Sequence, residues 1–313
     1  GDIGAGAYIF APIWATFALF GKIAGAAGMG GGSNGRSIQL PDSHVNLLNQ
    51  QYHRTAEEMI KNKQHEKAAF IYMKLLKNNY LAAQTLEDGK LYPEAATVYL
   101  KYLQNKNKAA ECFEKGRMIN QAIELYKELN NDEKVGDLYL SIYKKKEAYS
   151  YFEKVINNYK QQSQFVKASL IYRNKMDDTT SAQSSLLEGW RSNKDANQCL
   201  NYYFSNIQDK TLLENEIQAI YETEVSKSNQ RDFLNVIKNE YHKHTDVKNT
   251  TRDIAYEIIA DILPKDSSIA TELNGFNEKD INLVRDIIRY KNDAREKKKT
   301  INNLITGINS SNK

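Results

Sequence analysis

A small side chain is followed four residues later by a large one, at regular intervals between residues 68 and 172. Successive pairs begin 14, 13, 14, 13, 13 and 13 residues apart, and the last pair follows after 20. Positions i and i+4 share one face of an α-helix, so each pair predicts one buried helical face. The predicted packing residues are Ala68, Tyr72, Ala82, Leu86, Ala95, Tyr99, Ala109, Phe113, Ala122, Tyr126, Val135, Tyr139, Ala148, Phe152, Ala168 and Tyr172.

This spacing sets the size of the repeating unit. A step of 13 residues holds a helix of about nine or ten residues and a short turn, so two helices form a hairpin of about 27 residues. Stacked hairpins bury a continuous core. The pattern therefore predicts an all-α fold, an α-solenoid of stacked helical hairpins over residues 45–175. Composition agrees, because the chain has only four prolines and its glycines are concentrated in the first 36 positions.

Turn residues recur with the same period. Gly89 and Gly116 lie 27 residues apart, and we predict that each ends a helix in a left-handed cap. Pro93 falls in the first turn of the next helix, where proline is tolerated. Asparagines at positions 78–79 and 130–131 predict further helix boundaries.

Three segments carry a family resemblance: YPEAATVYLKYL, NKAAECFEKG and INQAIELYKEL. In each, an alanine precedes a tyrosine or phenylalanine by four residues, which resembles the helices of tetratricopeptide-like α-solenoids. The usual repeat of about 34 residues is shortened here to about 27, and its late proline is missing. The resemblance implies a protein-binding scaffold. The chain is also similar to repeat proteins found in some bacteria alongside MoxR-type ATPases and β-propeller proteins, which implies components of such a system as partners.

An apolar segment precedes the repeats. Residues 3–21 contain no charged side chain and are about long enough to span a bilayer, so we predict that residues 1–27 form a transmembrane segment. The remnant of a signal peptide and a buried soluble helix are the alternatives. Lys22 and Arg36 follow the segment, and the positive-inside rule then predicts a membrane-associated protein with its helical region in the cytoplasm.

A run rich in glycine, serine and asparagine follows, and we predict a flexible linker over residues 28–44. It contains Gly30, Gly32 and Gly35 in the spacing of the dinucleotide-binding fingerprint. That fingerprint needs a β-strand before it and a helix opening at its last glycine, and neither is predicted here. The linker is therefore not predicted to bind a nucleotide.

The period fades in residues 176–313, for which we predict irregular helices that cap the repeats or form a docking surface. Basic residues cluster between Arg285 and Lys299, interrupted by acidic ones, which favours a solvated helix face over a membrane or nucleic-acid contact. The predicted helices are Ser181–Arg191, Asp195–Ser205, Leu212–Val225, Gln230–His244, Thr251–Leu263 and one from Glu278 to about Ile308.

No motif in the sequence predicts catalysis. The five histidines and two cysteines form no HExxH or Cys-x-x-Cys pattern, and there is no Walker or GxSxG motif. No catalytic, cofactor-binding or metal-binding residue is therefore predicted. A net charge of +4 falls short of the one-sided charge typical of nucleic-acid binding. We predict a non-enzymatic, membrane-tethered scaffold for protein partners. The alternative is an enzyme or nucleic-acid-binding module that uses the C-terminal helices.

Overall fold

The computed structural model describes residues 42–277, 282–283 and 285–293, and within them it contains helices, turns and loops but no strand. This confirms the all-α prediction. The predicted transmembrane segment, residues 3–21, and most of the predicted linker lie outside the described residues. Among the helices that are described, none is both long and apolar enough to cross a membrane.

The described chain divides into two compact units, which meet in sequence at Gly89 and Lys90. The second α-helix continues into one π-helical turn, Ile71–Leu75, and a 3-10 helix, Ser267–Phe276, follows the last α-helix. The α-helices are α1 (Asp42–Lys61), α2 (His65–Phe70), α3 (Asn79–Asp88), α4 (Tyr92–Lys101), α5 (Lys106–Lys115), α6 (Ile119–Glu128), α7 (Asp132–Ser141), α8 (Lys145–Gln161), α9 (Phe165–Lys175), α10 (Thr179–Arg191), α11 (Ala196–Ser205), α12 (Lys210–Glu224), α13 (Gln230–Lys243) and α14 (Lys248–Ile262).

The helix lengths reproduce the sequence period. Helices α3 to α7 each have 10 residues, and their first residues are 13 or 14 positions apart. Helix α8 has 17 residues, which accounts for the single 20-residue step between Ala148 and Ala168. Helix α1 begins at Asp42, so the last three positions of the predicted linker are helical. Within each unit, consecutive helices pack on one another in a stack compatible with a helical-repeat solenoid.

The small member of every predicted pair is buried. None of the eight is more than 1% exposed, and the large members are buried or partly buried beside them. A side chain as small as alanine lets two helices approach closely, and the aromatic ring one turn later fills the space next to that contact. These residues form the interior between helices.

The two predicted glycine caps are wrong in their conformation. Gly89 and Gly116 do end α3 and α5, but their φ angles are −78° and −77°. The left-handed residue is the next one in each loop, Lys90 or Arg117, at φ 58° and 57°. Glycine is needed for a different reason. A Cβ on Gly89 would lie 2.5 Å from the Cβ of His65, so the loop can approach α2 only without a side chain.

Asparagines cap alternate helices. The side chains of Asn78, Asn105 and Asn131 each accept a hydrogen bond from the backbone N–H three residues later, at the start of α3, α5 and α7. Helices α4 and α6 begin after Leu91 and Met118, which provide no side-chain cap. The repeating unit is therefore a hairpin with one capped and one uncapped helix, which explains why the full period is about 27 residues rather than 13.

In the second unit, polar side chains join every second helix. The odd-numbered helices are linked by Glu114–Lys134, Asp137–Lys175, Arg173–Asn206 and Asn197–Asp232. The even-numbered helices are linked by Lys160–Glu188, Arg191–Glu224 and Tyr221–Glu257. Helices α5, α7, α9, α11 and α13 thus form one layer, called here the odd layer. Helices α8, α10, α12 and α14 form the even layer.

The C-terminal helices carry the largest buried cluster. Helices α10 to α14 begin and end within three residues of their predicted bounds. Their apolar side chains, with those of α9 and the 3-10 helix, form one cluster around Trp190, Phe204 and Phe233. The repeat region has smaller clusters, one around Ile123 and Tyr126 and another around Phe152. The stacking of helices therefore continues after the sequence period has faded.

Candidate interaction surface

The outward side of the odd layer, called here the odd face, is built from one stripe of each helix. Spacings of three and four residues place the exposed side chains of a helix in line. On α9 the stripe is Lys167, Leu170 and Asn174, and on α11 it is Gln198, Tyr202 and Ser205. The opposite sides of these helices carry the buried residues of the apolar cluster.

The N-terminal part of the odd face has charges that neutralise one another. The Nζ of Lys134 lies 2.9 Å from Oε1 of Glu114, and the Nζ of Lys175 lies 2.7 Å from Oδ1 of Asp137. On α5, Lys108 pairs with Glu111 at 2.8 Å. Ion pairs at the protein surface contribute little to stability, about 0–1 kcal/mol each. Each charged side chain named here therefore has a partner of the opposite sign.

The centre of the odd face exposes two large apolar side chains. Leu170 on α9 is 37% exposed and Tyr202 on α11 is 43% exposed. The two helices are neighbours in the odd layer. Single exposed apolar residues are common, but two on adjacent helices of one face form a contact point that a partner could cover.

A cleft of about 530 Å³ opens beside these residues, between the end of α9, the start of α10 and the loop after α11. Arg173 follows Leu170 by one helical turn, and Asn206 follows Tyr202 by one turn. The residues that line the cleft are Arg173, Thr179, Thr180, Ala182, Gln183 and Asn206.

A chain of hydrogen bonds fixes the polar wall of this cleft. Arg173 donates to the amide oxygen of Asn206, and the amide nitrogen of Asn206 donates to Gln183 at 2.9 Å. Gln183 in turn donates to the backbone carbonyl of Tyr203 at 3.2 Å. Asp178 caps α10, and the backbone N–H of Ser181 lowers the pKa of its carboxyl. The polar groups are thereby held in place before any ligand arrives.

Leu170, Arg173, Gln183, Tyr202 and Asn206 together are called here the α9–α11 site. It combines an apolar patch with an exposed guanidinium and two amides. Guanidinium and amide N–H groups donate hydrogen bonds, so the site suits a segment that offers an apolar side chain beside a carboxylate or carbonyl.

A second cleft of about 390 Å³ lies at the C-terminal end of α10, and its charged groups are already paired. Arg191 donates to both carboxylate oxygens of Glu224, at 3.1 and 2.6 Å. Trp190 lines this cleft, but its indole nitrogen is buried and makes no hydrogen bond with the described residues. This ion pair joins α10 to α12. The second cleft therefore offers a ligand fewer available polar groups than the first cleft does.

Many of the tyrosines are structural. Tyr126, Tyr203 and Tyr221 donate hydrogen bonds to Glu114, Glu216 and Glu257 respectively. Burial, followed by the hydrogen bond to the carboxylate, raises the pKa of Tyr221 to about 12 and raises the pKa values of the other two hydroxyls as well. The hydroxyl groups of these three tyrosines are therefore engaged with neighbouring helices.

The clearest titratable cluster lies at the end of α13. Glu240 is buried, accepts a hydrogen bond from Lys243 at 2.8 Å and has its other oxygen 3.7 Å from Nε2 of His244. The Nζ of Lys210 lies 3.3 Å from the same His244 nitrogen. Neither of the two clefts described above is lined by these residues. Through Lys210 and His244 the cluster joins the start of α12 to the end of α13.

The cysteines and the predicted packing residues lie away from the site. Cys112 and Cys199 are buried and form no disulfide, and burial raises the pKa of the Cys199 thiol to about 12. In the part of the chain that the structure describes, no group of three potential metal ligands is found. None of the sixteen predicted packing residues lines either cleft.

The sequence prediction missed the five residues of the α9–α11 site. One signal was present, because Leu170 and Tyr202 are large apolar residues that fall outside the buried stripes of their helices. Nothing in the sequence indicated that they would lie on adjacent helices, since 32 positions separate them.

Comparisons with known proteins do not assign the chain to a family. No model of a known protein family matches the sequence. A search of curated proteins finds no match either. The class of protein is therefore defined by its architecture, an all-α stack of consecutive helices.

Proposed function

We propose that this protein is a non-enzymatic scaffold that binds a partner protein at the α9–α11 site. The observation that carries the proposal is the exposure of Leu170 and Tyr202 on adjacent helices, beside a cleft with a polar wall that is already ordered. A surface whose groups are already ordered loses little conformational entropy on binding. The resemblance of the repeats to tetratricopeptide-like solenoids, which bind proteins, supports the same proposal.

The chemistry of the site defines the partner segment. An apolar side chain would cover Leu170 and Tyr202, and a carboxylate or backbone carbonyl next to it would accept hydrogen bonds from Arg173 and Asn206. We propose that the protein is tethered to a membrane through residues 3–21, with the helical region in the cytoplasm. On the resemblance to bacterial repeat proteins, its partners belong to a MoxR-type ATPase and β-propeller system.

Crosslinking with mass spectrometry, carried out on the full chain in its native membranes, tests this proposal. The variant Leu170→Ser/Tyr202→Ser removes the apolar patch from the surface without adding charge. We expect crosslinks from the odd face to identify a partner segment, and we expect the variant to bind that purified segment at least about tenfold more weakly, as for residues at the centre of an interface.

A matched control comes from the even layer. Leu212 on α12 and Tyr256 on α14 are also exposed, so Leu212→Ser/Tyr256→Ser makes the same chemical change on the opposite face. The control should bind the segment as the wild type does. Equal loss in both variants, or crosslinks that cluster on the even layer, would contradict binding at the α9–α11 site.

A further inference from the structure

The loop between α7 and α8 holds a tyrosine in a conformation that aromatic residues avoid. Tyr143 adopts φ 62°, in the left-handed region where a bulky residue is an outlier. Its backbone N–H donates to the carbonyl of Leu140 at 3.0 Å, and the N–H of Lys144 donates to the carbonyl of Tyr139 at 2.9 Å. This is the usual hydrogen-bonded turn at the end of a helix, so the loop and the position of Tyr143 within it are fixed.

The same turn recurs in three other loops with a polar residue at this position. The loops after α5, α6 and α8 make the same two backbone hydrogen bonds as the loop after α7. Their left-handed residues are Arg117, Asn130 and Ser163. Among the left-handed residues in the described part of the chain, Tyr143 is the only aromatic one. The turn itself therefore does not require an aromatic ring.

Packing does not require the ring of Tyr143 either. The residue is 96% exposed, and Tyr80, the next most exposed of the large apolar residues that the structure describes, is 61% exposed. The hydroxyl of Tyr143 has no hydrogen-bond partner within the described ranges. Strained residues are typically found at functional sites, so this position indicates a contact with something outside the chain.

Three lysines follow Tyr143 directly. Lys144 lies in the loop, Lys145 and Lys146 begin α8, and all three side chains are exposed. None of the three forms an ion pair with any residue that the structure describes. Glu147 comes next and is also exposed, so three lysines and one glutamate give the run from Tyr143 to Glu147 a net charge of +2.

The extent of the positive charge indicates the kind of partner. The hydroxyl of Tyr149, in the second turn of α8, donates to the carbonyl of Met176 at 2.7 Å, so the loop after α9 is a neighbour of this one. That loop contains Asp177 and Asp178, so the basic charge does not extend into it. A nucleic acid is bound along a basic groove that follows its backbone, whereas one protruding loop is enough to contact a bilayer.

An anionic bilayer fits both features of the loop. Tyrosine is enriched at the headgroup level of membranes, because its ring is apolar and its hydroxyl is polar. Lysines near the surface are attracted to the negative charge of anionic lipids. A single contact of this kind is weak and becomes effective together with a second anchor in the same chain.

We propose that the loop after α7 is a contact site for the surface of an anionic lipid bilayer. The ring of Tyr143 enters the headgroup layer, and the ammonium groups of Lys144, Lys145 and Lys146 lie against the lipid phosphates. The strength of this contact rests on the proposed tether at residues 3–21, which raises the local concentration of lipid at the loop. The contact does not depend on partner binding at the α9–α11 site.

An environment-sensitive fluorophore next to Tyr143 tests the contact in the full chain. Cys112 and Cys199 are buried, so a thiol-reactive label on Ser141→Cys, an exposed position, reports on this loop. We expect its emission to shift to shorter wavelength with phosphatidylcholine vesicles that contain about 30% phosphatidylglycerol, and not with phosphatidylcholine alone. Salt at about 500 mM should reverse the shift. No shift with either kind of vesicle, or an equal shift with both, would overturn the proposal.

Co-sedimentation of the same protein with the two kinds of vesicle measures the tether separately. Residues 3–21 carry no charge, so they should bring the chain down with either kind. Sedimentation without a shift of the label would mean that the tether holds and the loop contact fails. A shift with anionic vesicles, in a chain that does not sediment with neutral ones, would support the loop contact and contradict the tether.

Two labelled variants separate the ring from the charges. Tyr143→Asn provides the residue that Asn130 places at the equivalent position at φ 53°, so its unfolding temperature should not fall below that of the wild type. It should still raise the lipid concentration at half-maximal shift at least about threefold, because no ring enters the headgroup layer. Lys144→Glu/Lys145→Glu/Lys146→Glu should raise that concentration at least about tenfold. A wild-type response from both variants would overturn the proposal.

Matched controls make the same chemical changes elsewhere. Tyr80→Asn removes another exposed ring, and Lys194→Glu/Lys227→Glu/Lys265→Glu changes the net charge equally at three separate exposed sites. Both should leave the lipid concentration at half-maximal shift within about twofold of the wild type. Equal loss in the control and loop variants would mean that total charge, not this loop, attracts the chain, and would overturn the proposal. So would a shift caused by a single-stranded oligonucleotide and not by vesicles.

Discussion

Two adjacent residues at the end of α3 show how a single position can mislead a sequence-based prediction. Gly89 has an ordinary φ of −78°, whereas Lys90 is left-handed at φ 58°. Gly89→Ala should destabilise the protein by about 1–3 kcal/mol, because its new Cβ would meet the Cβ of His65, which cannot move without the backbone. Lys90→Gly should be neutral or stabilising by up to about 1 kcal/mol, since it relieves left-handed strain. Urea unfolding of both variants measures the difference.

The two substitutions act in opposite directions only if close packing, not conformation, requires the glycine. A left-handed Gly89 would make Gly89→Ala costly through strain and would leave Lys90→Gly with nothing to relieve. Equal destabilisation by both substitutions would therefore contradict the geometry of this loop. His65→Gly combined with Gly89→Ala is a useful control, because removing the opposing Cβ should recover part of the lost stability.

Residue types predicted the packing well and the loops poorly. A side chain as small as that of Ala109 or Ala148 allows a neighbouring helix to pack closely against it. Both residues are fully buried. Loop conformation is less specific, because Lys90, Arg117 and Asn130 all adopt the left-handed conformation at equivalent positions. When lysine and arginine occupy positions that usually favour glycine, the sequence offers no signal of the turn.

At the scale of the helix, the capping asparagines explain why the repeat has two unequal halves. Asn105 accepts a hydrogen bond from the backbone N–H of Lys108 at 3.0 Å and so begins α5. Asn105→Ala should cost about 1 kcal/mol of unfolding free energy, because it leaves a donor of the first turn without a partner. Asn105→Asp should retain most of the stability, since its carboxylate also accepts. Thermal unfolding followed by circular dichroism measures both.

A comparison with a left-handed asparagine separates capping from other effects. Asn130 precedes the capping residue of α7 and adopts φ 53°, but it makes no side-chain cap. Asn130→Gly should preserve stability there, whereas Asn105→Gly should lose a few tenths of a kcal/mol. If Asn105→Ala and Asn105→Asp unfold at the same temperature as the wild type, the cap does not stabilise α5.

Helix positions were predictable because they depend on neighbours within one or two turns. The 13-residue step located α3 to α7, and the C-terminal helices were located within three residues even without a period. The layers and the α9–α11 site were not predictable in the same way. The hydrogen bond between Arg173 and Asn206 joins residues 33 positions apart, and which helices become neighbours in a layer depends on packing that no local pattern records.

At the scale of the second unit, the two ends differ in how their helices are held together. Helices α4 to α7 are short, with 10 residues each, and α5 to α7 share a small apolar cluster around Ile123. The cluster of α9 to α14 is larger and includes Trp190, Phe204 and Phe233, all buried. In repeat proteins the stability of a segment follows from its own helices and its contacts with the next ones. Helices α9 to α14 should therefore undergo local unfolding less often than the N-terminal helices of the unit.

Native-state hydrogen exchange tests this difference directly. We expect backbone amides of α12, α13 and α14 to exchange through the rarest opening, close to global unfolding, and amides of α4 to α7 to exchange through more frequent partial opening. Leu213→Ala in the large cluster should lower protection throughout the C-terminal helices by about 2–5 kcal/mol, because it leaves a cavity in a fully buried site. Ile123→Ala should lower protection only in α5 to α7. Equal protection from α4 to α14, with both substitutions affecting every helix, would mean instead that the unit unfolds as a single cooperative body, and its repeats would then not be independent elements.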